Sequence, residues 1–566
     1  MHEARGGASF ALIAIASAGC ARIAIPEYSS ADVTTIEAAF PDATISDVPS
    51  IDTVVVDSRL DESPEPPIDA REDPEPPRQI APLSTARVTS SSPTLRWHLP
   101  TGTDNAVLEI CEDRACANVS IRAASIAGDH WTGSISPGVH YWRLRGRHGA
   151  ITGRRWSPTW QFRVPARGAL TDTSWGTVPD FDGDGYVDLA ATVNSGALTI
   201  PDSVAFYPGS ASGLTSSPSS TMLFGGGYSA TTIHSAGDVN GDGFADLLVS
   251  GTSRGAQPDM RIYFGGEAGL GATPVILPQP IDPGTPFFGR CSAAGDLNGD
   301  GYGDLVFERA VLDSREIAVR VYFGGPTGPA DPPSQTIAVT GDLPPFRDGT
   351  IAGIGDVNAD GFGDFVVSAV GNTDTDPDFV GVFGGGPSGP TEGGALSRSD
   401  GVVASRFGVG LVSAGDVDGD GFSDAIIGSE EGGFVFTGGP MGLRNSPASR
   451  LSSRQRLHTA GGAGDVNGDG FDDVVVSDSD GVAVVYFGTS ASTFGTSPGA
   501  MLTFEHVFGS LNRVEILGDT ERDGFAEVVA VGYVHAPTAF VYRGIAGGVR
   551  TESSFSATAY LLAGAE

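Results

Sequence analysis

One acidic nine-residue motif recurs seven times in the last two-thirds of this 566-residue chain, and no other feature limits the fold so tightly. The copies read DFDGDGYVD from Asp180, DVNGDGFAD from Asp238, DLNGDGYGD from Asp296, DVNADGFGD from Asp356, DVDGDGFSD from Asp416, DVNGDGFDD from Asp465 and DTERDGFAE from Asp519. Their starts are 58, 58, 60, 60, 49 and 54 residues apart. Self-similarity at a period of this size marks an array of repeated supersecondary units, each burying its apolar faces against its neighbours.

Aligning the copies with one another shows what each position requires. Position 1 is Asp in every copy. Position 3 is Asp182, Asn240, Asn298, Asn358, Asp418, Asn467 or Glu521. Position 5 is Asp184, Asp242, Asp300, Asp360, Asp420, Asp469 or Asp523. Position 9 is Asp188, Asp246, Asp304, Asp364, Asp424, Asp473 or Glu527. Position 6 is always Gly, and position 7 is always aromatic: Tyr186, Phe244, Tyr302, Phe362, Phe422, Phe471 and Phe525.

Side-chain oxygens at positions 1, 3, 5 and 9 of a tightly curled loop can face one centre. Calcium takes about six to eight oxygen ligands at roughly 2.3–2.6 Å. The Gly at position 6 permits the sharp turn, and the backbone carbonyl at position 7 offers a further ligand while its ring packs in a core. The plain alternative is a metal-free turn, since Asp, Asn and Gly favour turns unaided. Turn chemistry alone does not call for an acid at position 9. The loop is not an EF-hand, which needs a bidentate Glu at position 12 and a following helix. Position 12 is Val249 in the second copy and Val367 in the fourth.

The segment after each loop is short, apolar and rich in β-branched residues: DLLVSG, DLVFER, DFVVSA, DAIIGS and DDVVVSD. These read as buried strands. A second apolar run ending in Gly comes next (SVAFYPG, MRIYFGG, VRVYFGG, VGVFGGG, FVFTGG, VAVVYFG, AFVYRG), then a turn and a weaker strand such as TPVILPQP or SQTIAVTG. Phe-Gly pairs precede several loops, as at Phe224-Gly225, Phe288-Gly289, Phe407-Gly408 and Phe508-Gly509. Units of this length with four strands each are propeller blades.

These motifs resemble FG-GAP-type repeats, similar to those in the seven-bladed propeller of integrin alpha subunits and in many bacterial secreted proteins, over about residues 170–566. The resemblance implies that each loop joins two strands of a blade and holds calcium on one rim of the ring. It implies about six Ca2+ ions, at the loops from Asp180, Asp238, Asp296, Asp356, Asp416 and Asp465. The copy at Asp519 departs from the pattern with Glu521, Arg522 and Glu527, which leaves a seventh ion open. VSAV and IGSE stand where the family favours Gly-Ala-Pro. The last stretch, RTESSFSATAYLLAGAE, either supplies the final blade's outer strand or pairs near Ala169.

Composition agrees with a cation-loaded ring. The formal net charge is −36, from 69 acidic and 33 basic residues, and the seven loops hold 24 of those acids at ligand positions. Without metal these clusters repel at short range. Seven ions would bring the charge to about −22. Such acidity excludes nucleic acid and anionic lipid surfaces as partners.

The chain opens MHEARGGASFALIAIASAGCA, a basic residue, a short apolar run and small residues ending at Cys20. That is a secretion signal, too short to span a membrane. SAGC resembles the lipobox of bacterial lipoproteins, implying lipidation at Cys20 and attachment to a membrane only through that lipid. Ser17 stands where Leu is usual, and plain secretion is the alternative. Residues 21–82, Pro-rich and acidic, read as a disordered tether. Residues 83–166 hold short alternating strands and Trp97, Trp131, Trp142, Trp156 and Trp160, and resemble a fibronectin type III-like β-sandwich. Cys111 and Cys116 flank the turn EDRA, a spacing suited to a disulfide across a hairpin and poor for zinc. Cys291 reads as a core residue.

No HExxH, GxSxG or GxxxxGK[ST] occurs, and the nine His are scattered. The expectation is therefore an all-β, non-enzymatic chain: a signal at 1–20, a tether at 21–82, a sandwich at 83–166 and a seven-bladed propeller at 170–566. Its expected function is calcium-dependent adhesion or ligand binding at a cell surface, with a protein or glycan partner. A cell-envelope scaffold and a propeller hydrolase or lyase are the alternatives.

Overall fold

The computed structural model describes residues 73–563, apart from short internal stretches of which the longest are 165–178, 194–201 and 397–405. The signal reading at residues 1–20, Cys20 included, and the tether up to residue 72 lie outside the described residues. Every regular element among the described residues is a strand.

The N-terminal part consists of two sheets that share a buried core. One orders the strands Arg78–Ala81, Thr94–His98 and His130–Thr132; the other orders Ala86–Arg87, Trp160–Val164, Gly138–His148, Asn105–Cys111 and Val119–Ala127. Trp97, Trp142, Leu108, Ile110, Leu144 and Phe162 meet between them with no exposed surface. Cys111 and Cys116 form a disulfide, and Cys291 is buried as expected. The tether boundary at residue 82 is corrected. Arg78–Ala81 adds an edge strand against Thr94–His98, and Gln79 Nε2 donates to the Trp142 carbonyl at 3.1 Å. The Pro-rich residues before it have no core of their own but accept bonds from the domain: Thr103 Oγ1 donates to the Glu75 carbonyl at 3.2 Å and the Arg154 amide to Asp73 at 3.0 Å.

Beyond residue 188 the described strands form a β-propeller's antiparallel sheets, one per acidic loop. The second is representative: Tyr228–Gly237, Asp246–Ser253, Pro258–Tyr263 and Val275–Pro278 pair in sequence order. The acidic loop joins the first two strands. The strand after the loop is buried on both faces, as at Asp424–Ser429 and Asp473–Ser477, which explains why these segments are apolar without alternation. The fourth strands face solvent; Leu223 is 63% exposed and Ile276 49%. In the fourth repeat the first strand is split into Phe346–Asp348 and Ile351–Gly355, both paired with Asp364–Gly371.

The C-terminal stretch serves two sheets. Phe555–Thr558 is the outer strand of the seventh, paired with Pro537–Tyr542. Leu562–Ala563 then pairs with Ala190 and Ala191 of the first sheet; the strand expected near Ala169 lies outside the described residues. Pairing the chain's end with its first sheet removes two open edges at once.

The loops themselves are linked into a circle. The carbonyl of position 1 in each loop accepts a bond from the amide of position 8 in the next: Ala245 to Asp180, Gly303 to Asp238, Gly363 to Asp296, Ser423 to Asp356, Asp472 to Asp416, Ala526 to Asp465, and finally Val187 back to Asp519. The aromatic ring at position 7 does not turn into a sheet core as expected. It lies over position 4 of the preceding loop: Phe244 over Gly183, Tyr302 over Gly241, Phe362 over Gly299, Phe471 over Gly419 and Phe525 over Gly468. Gly241 has φ +72°, and a Cβ there would stand 2.5 Å from the Tyr302 ring. The position-6 glycines, expected at the sharp turn, lie outside the described residues.

Gly241→Ala is expected to destabilise the protein by at least about 1–2 kcal/mol, from the left-handed backbone alone. Displacement of the Tyr302 ring adds to that loss. Chemical denaturation monitored by intrinsic fluorescence measures it.

Candidate metal centres

Each loop is wound by its own side chains. Position 1 accepts from the amide of position 5, as Asp238 Oδ1 does from Asp242 at 3.1 Å, and position 3 accepts from the same amide, as Asn240 does at 3.0 Å. Position 5 accepts from position 7: Asp184 from Tyr186 at 2.9 Å, Asp242 from Phe244 at 3.0 Å, Asp300 from Tyr302 at 3.1 Å, Asp360 from Phe362 at 3.1 Å, Asp420 from Phe422 at 3.1 Å and Asp469 from Phe471 at 3.0 Å. Each such bond uses one of a carboxylate's roughly four lone-pair sites, so accepting it does not bar the same side chain from a cation.

Position 9 behaves differently. Its carboxylate is fully buried in the first six loops. One oxygen accepts from the amide of position 2 and the other from a Gly amide at the end of the repeat's third strand. Asp246 takes Val239 at 2.9 Å and Gly265 at 2.9 Å; Asp304 takes Leu297 at 2.8 Å and Gly324 at 2.8 Å. Gly209, Gly385, Gly438 and Gly488 fill the same place for Asp188, Asp364, Asp424 and Asp473. The acid expected as a ligand thus first fastens the loop to the sheet. The sequence shows the Gly-ended run in every repeat, but not what those amides face.

Burial grades from the sheet to the rim. Asp180, Asp238, Asp296, Asp356, Asp416 and Asp519 at position 1 are buried; Asp465 is half-buried. Position 5 is exposed at Asp184, Asp300, Asp360 and Asp469. In the first loop, carboxylate oxygens of Asp180, Asp182 and Asp188 lie within 4.8 Å of one another, and in the fifth those of Asp416, Asp418 and Asp424 do the same. Two oxygens on one calcium ion lie at most about 5 Å apart, so both sets fit a single ion. In the other four of the first six loops position 3 is an amide: Asn240, Asn298, Asn358 and Asn467 each donate Nδ2 to the position-5 carboxylate at 2.8–3.0 Å. Those loops carry one acid fewer and quench part of the charge internally. Glu109 with Cys111 and Cys116 is a third tight group, but its sulfurs are bonded to each other.

The buried carboxylates call for compensation by protons or by a cation. Burial, then the neighbouring Asp180 and Asp182, pushes Asp188 well above the usual carboxylate range. Burial lifts Asp246, Asp304 and Asp424 in the same way, and lifts Asp364 and Asp473 to about 8. Asp418 rises to about 6 through burial and then the facing Asp420 and Asp416. Either protons or a divalent ion must compensate such groups.

The seventh loop is built otherwise. Asp523 lies outside the described residues. Glu521 is held by Arg543, with Nη2 to Oε2 at 3.0 Å. Glu527 accepts from the Thr520 amide at 2.6 Å, while its Oε1 has no hydrogen-bond partner among the described residues.

Comparison with known proteins matches the segment that holds the first two loops to a family model. Residues 180–249 match the family described as FG-GAP-like repeat. Integrin alpha-4 of Xenopus laevis is 33% identical over 152 residues, covering 25% of this chain and 14% of that one. Integrin alpha-PS2 of Drosophila melanogaster is 29% identical over 257 residues, covering 41% and 17%. The chain thus spans less than a fifth of the length of these relatives. Among solved structures, BBS1N in complex with ARL6DN superposes with a TM-score of 0.36 at 15% identity, covering 63% of this chain and 88% of that one. The Dos1 propeller gives 0.35 at 8% identity, covering 63% and 78%.

Two outcomes test this geometry. Asp304→Ala strands the Leu297 and Gly324 amides and is expected to cost about 2–4 kcal/mol in the absence of metal, measured by denaturant titration in chelator. For metal-free protein the raised carboxylates favour the folded state when protonated. Their contribution is present below the unfolded Asp pKa of about 4 and is lost as pH rises through about 8 for Asp364 and Asp473. The melting temperature in chelator should fall across that window.

Proposed function

We infer that this FG-GAP-like propeller is calcium-stabilised and extracytoplasmic, and that it acts as a ligand-binding or adhesion module. The observation that carries the reading is the convergence of Asp180, Asp182 and Asp188, and of Asp416, Asp418 and Asp424, on points one ion can fill. Carboxylate, amide and carbonyl oxygens on a curled loop suit calcium, which tolerates irregular shells, better than magnesium. The ion would neutralise carboxylates that the fold has already buried. Because each loop is bonded to the next, an ion that rigidifies one loop also steadies its neighbours.

The likeness to integrin alpha chains supports a binding face that takes a protein or glycan. The net charge of −36 makes nucleic acid a poor partner. A signal ending at Cys20 fits delivery across a membrane, with a lipid as the only attachment.

Metal counting on the purified chain should give about six calcium ions. Each site adds about 2.7 kcal/mol at a calcium concentration one hundred times its Kd, so chelator should lower the melting temperature. No bound ion and an unchanged melting temperature would remove the calcium reading. Retention of a protein or glycan from an array in calcium, and its release by chelator, supports the adhesion module. Retention that ignores chelator, or none, favours a scaffold.

A further inference from the structure

We propose that the seventh loop takes no metal and uses Arg543 as its built-in cation, forming a calcium-independent clasp across the seam between the seventh and first repeats. The proposal rests on the calcium reading for the other six loops. It concerns the loop in which a ligand-position acid, Glu521, is paired with an arginine.

Arg543 occupies a defined place in the repeat, immediately before the Gly that ends the third strand. The equivalent residues are Pro208, Phe264, Phe323, Gly384, Thr437 and Phe487, none of them charged. At two ordinary seams this residue makes an apolar contact with a turn glycine of the next repeat: Phe264 lies against Gly328 and Phe323 against Gly389. At the closing seam Arg543 lies against Gly213 of the first repeat. There its Nη2 donates to the Ser212 carbonyl at 2.6 Å and pairs with Glu521 Oε2 at 3.0 Å. One guanidinium therefore holds the position-3 acid of the last loop and the backbone of the first repeat, 331 residues away in sequence.

The clasp stands at the junction whose two backbone bonds are the longest of their kind among the described residues. The bond from Val187 to the Asp519 carbonyl is 3.4 Å, against 2.8–3.2 Å at the other six junctions. That from Ser210 to the Thr520 carbonyl is 3.2 Å, against 2.8–3.1 Å for its counterparts. The Glu521 side chain is 6% exposed, so its carboxylate needs donors or a cation. An arginine supplies one fixed charge whatever the calcium concentration, and its Nη2 reaches both the Ser212 carbonyl and Glu521. A calcium ion at this loop would have to share Glu521 with a fixed positive charge 3.0 Å from its Oε2.

The test uses the full chain with calcium alone as the probe. Glu521→Gln should leave the number of bound ions unchanged, whereas Asp242→Ala in the second loop should lose one. Arg543→Met and Glu521→Gln should each lower the melting temperature by about 2 °C, equally in calcium and in chelator, and the double variant should fall no further than either single one. Arg543→Lys keeps the charge without the fork and should fall between. A wild-type count of seven ions with one lost in Glu521→Gln overturns the clasp and leaves the calcium reading intact. A count of zero sinks the calcium reading, while the chelator melting temperatures still decide the clasp. Unchanged melting of Arg543→Met in chelator overturns it outright.

Discussion

Burying a carboxylate is costly unless its oxygens are met by donors or by a cation, and this fold buries one at the base of every acidic loop. Asp188, Asp246, Asp304, Asp364, Asp424 and Asp473 have no exposed surface. Two backbone amides meet each of them, one from the loop and one from the end of the third strand. Those amides are otherwise orphans at a strand end, so each side satisfies the other. The same contact brings Asp180 or Asp416 within reach of a shared ion, because the acid at position 9 is held at a fixed height below them. Metal affinity and sheet stability thus depend on one side chain, and a variant there conflates the two unless it is measured in chelator.

From that anchor the order spreads sideways. A loop pinned by its ninth residue presents its first two carbonyls to the next repeat, and its fourth residue to the next aromatic ring. These contacts join neighbours, so stability runs around the ring as a chain of nearest-neighbour terms. The inner strands add to it. A Cβ at Gly461 would stand 2.2 Å from the Cα of Glu515 in the following repeat, so adjacent inner strands approach as closely as backbones can.

Much of this is legible in the sequence because seven copies align with one another and mark which positions are fixed. The acids, the strand after the loop, the Gly-ended run and the disulfide between Cys111 and Cys116 all follow from local spacing. The features that escape sequence reasoning depend on partners distant in the chain. The Gly partner of Asp246 lies 19 residues away, and the residue under the Tyr302 ring belongs to the repeat before it. An aromatic at position 7 therefore reads as a core residue, the usual place for a ring. The segment at 73–82 reads as a tether because its composition cannot form a core, yet an edge strand needs only a neighbour with open amides. Proximity in sequence points to Arg522 as the cation beside the last loop, whereas the guanidinium that pairs with Glu521 is that of Arg543.

A circular array has one junction that differs from all the others, since there the last repeat must find the first. Six junctions join repeats that are consecutive in the chain, and their partners are held near one another by a connection of a few dozen residues. The seventh joins residues more than three hundred apart, so closing it carries the largest loop entropy. Two devices gather there and nowhere else among the described residues: the pairing of Leu562–Ala563 with the first sheet and the Arg543 contact with Ser212. A junction closed by covalently attached groups does not depend on ambient calcium. On the proposed calcium reading, the other six loops would respond to the ion while the ring remains shut. The copy of the acidic motif that stands at this junction is the one in which an arginine pairs with a ligand-position acid, Arg543 with Glu521, so the proposed clasp puts a fixed charge where the ring must close.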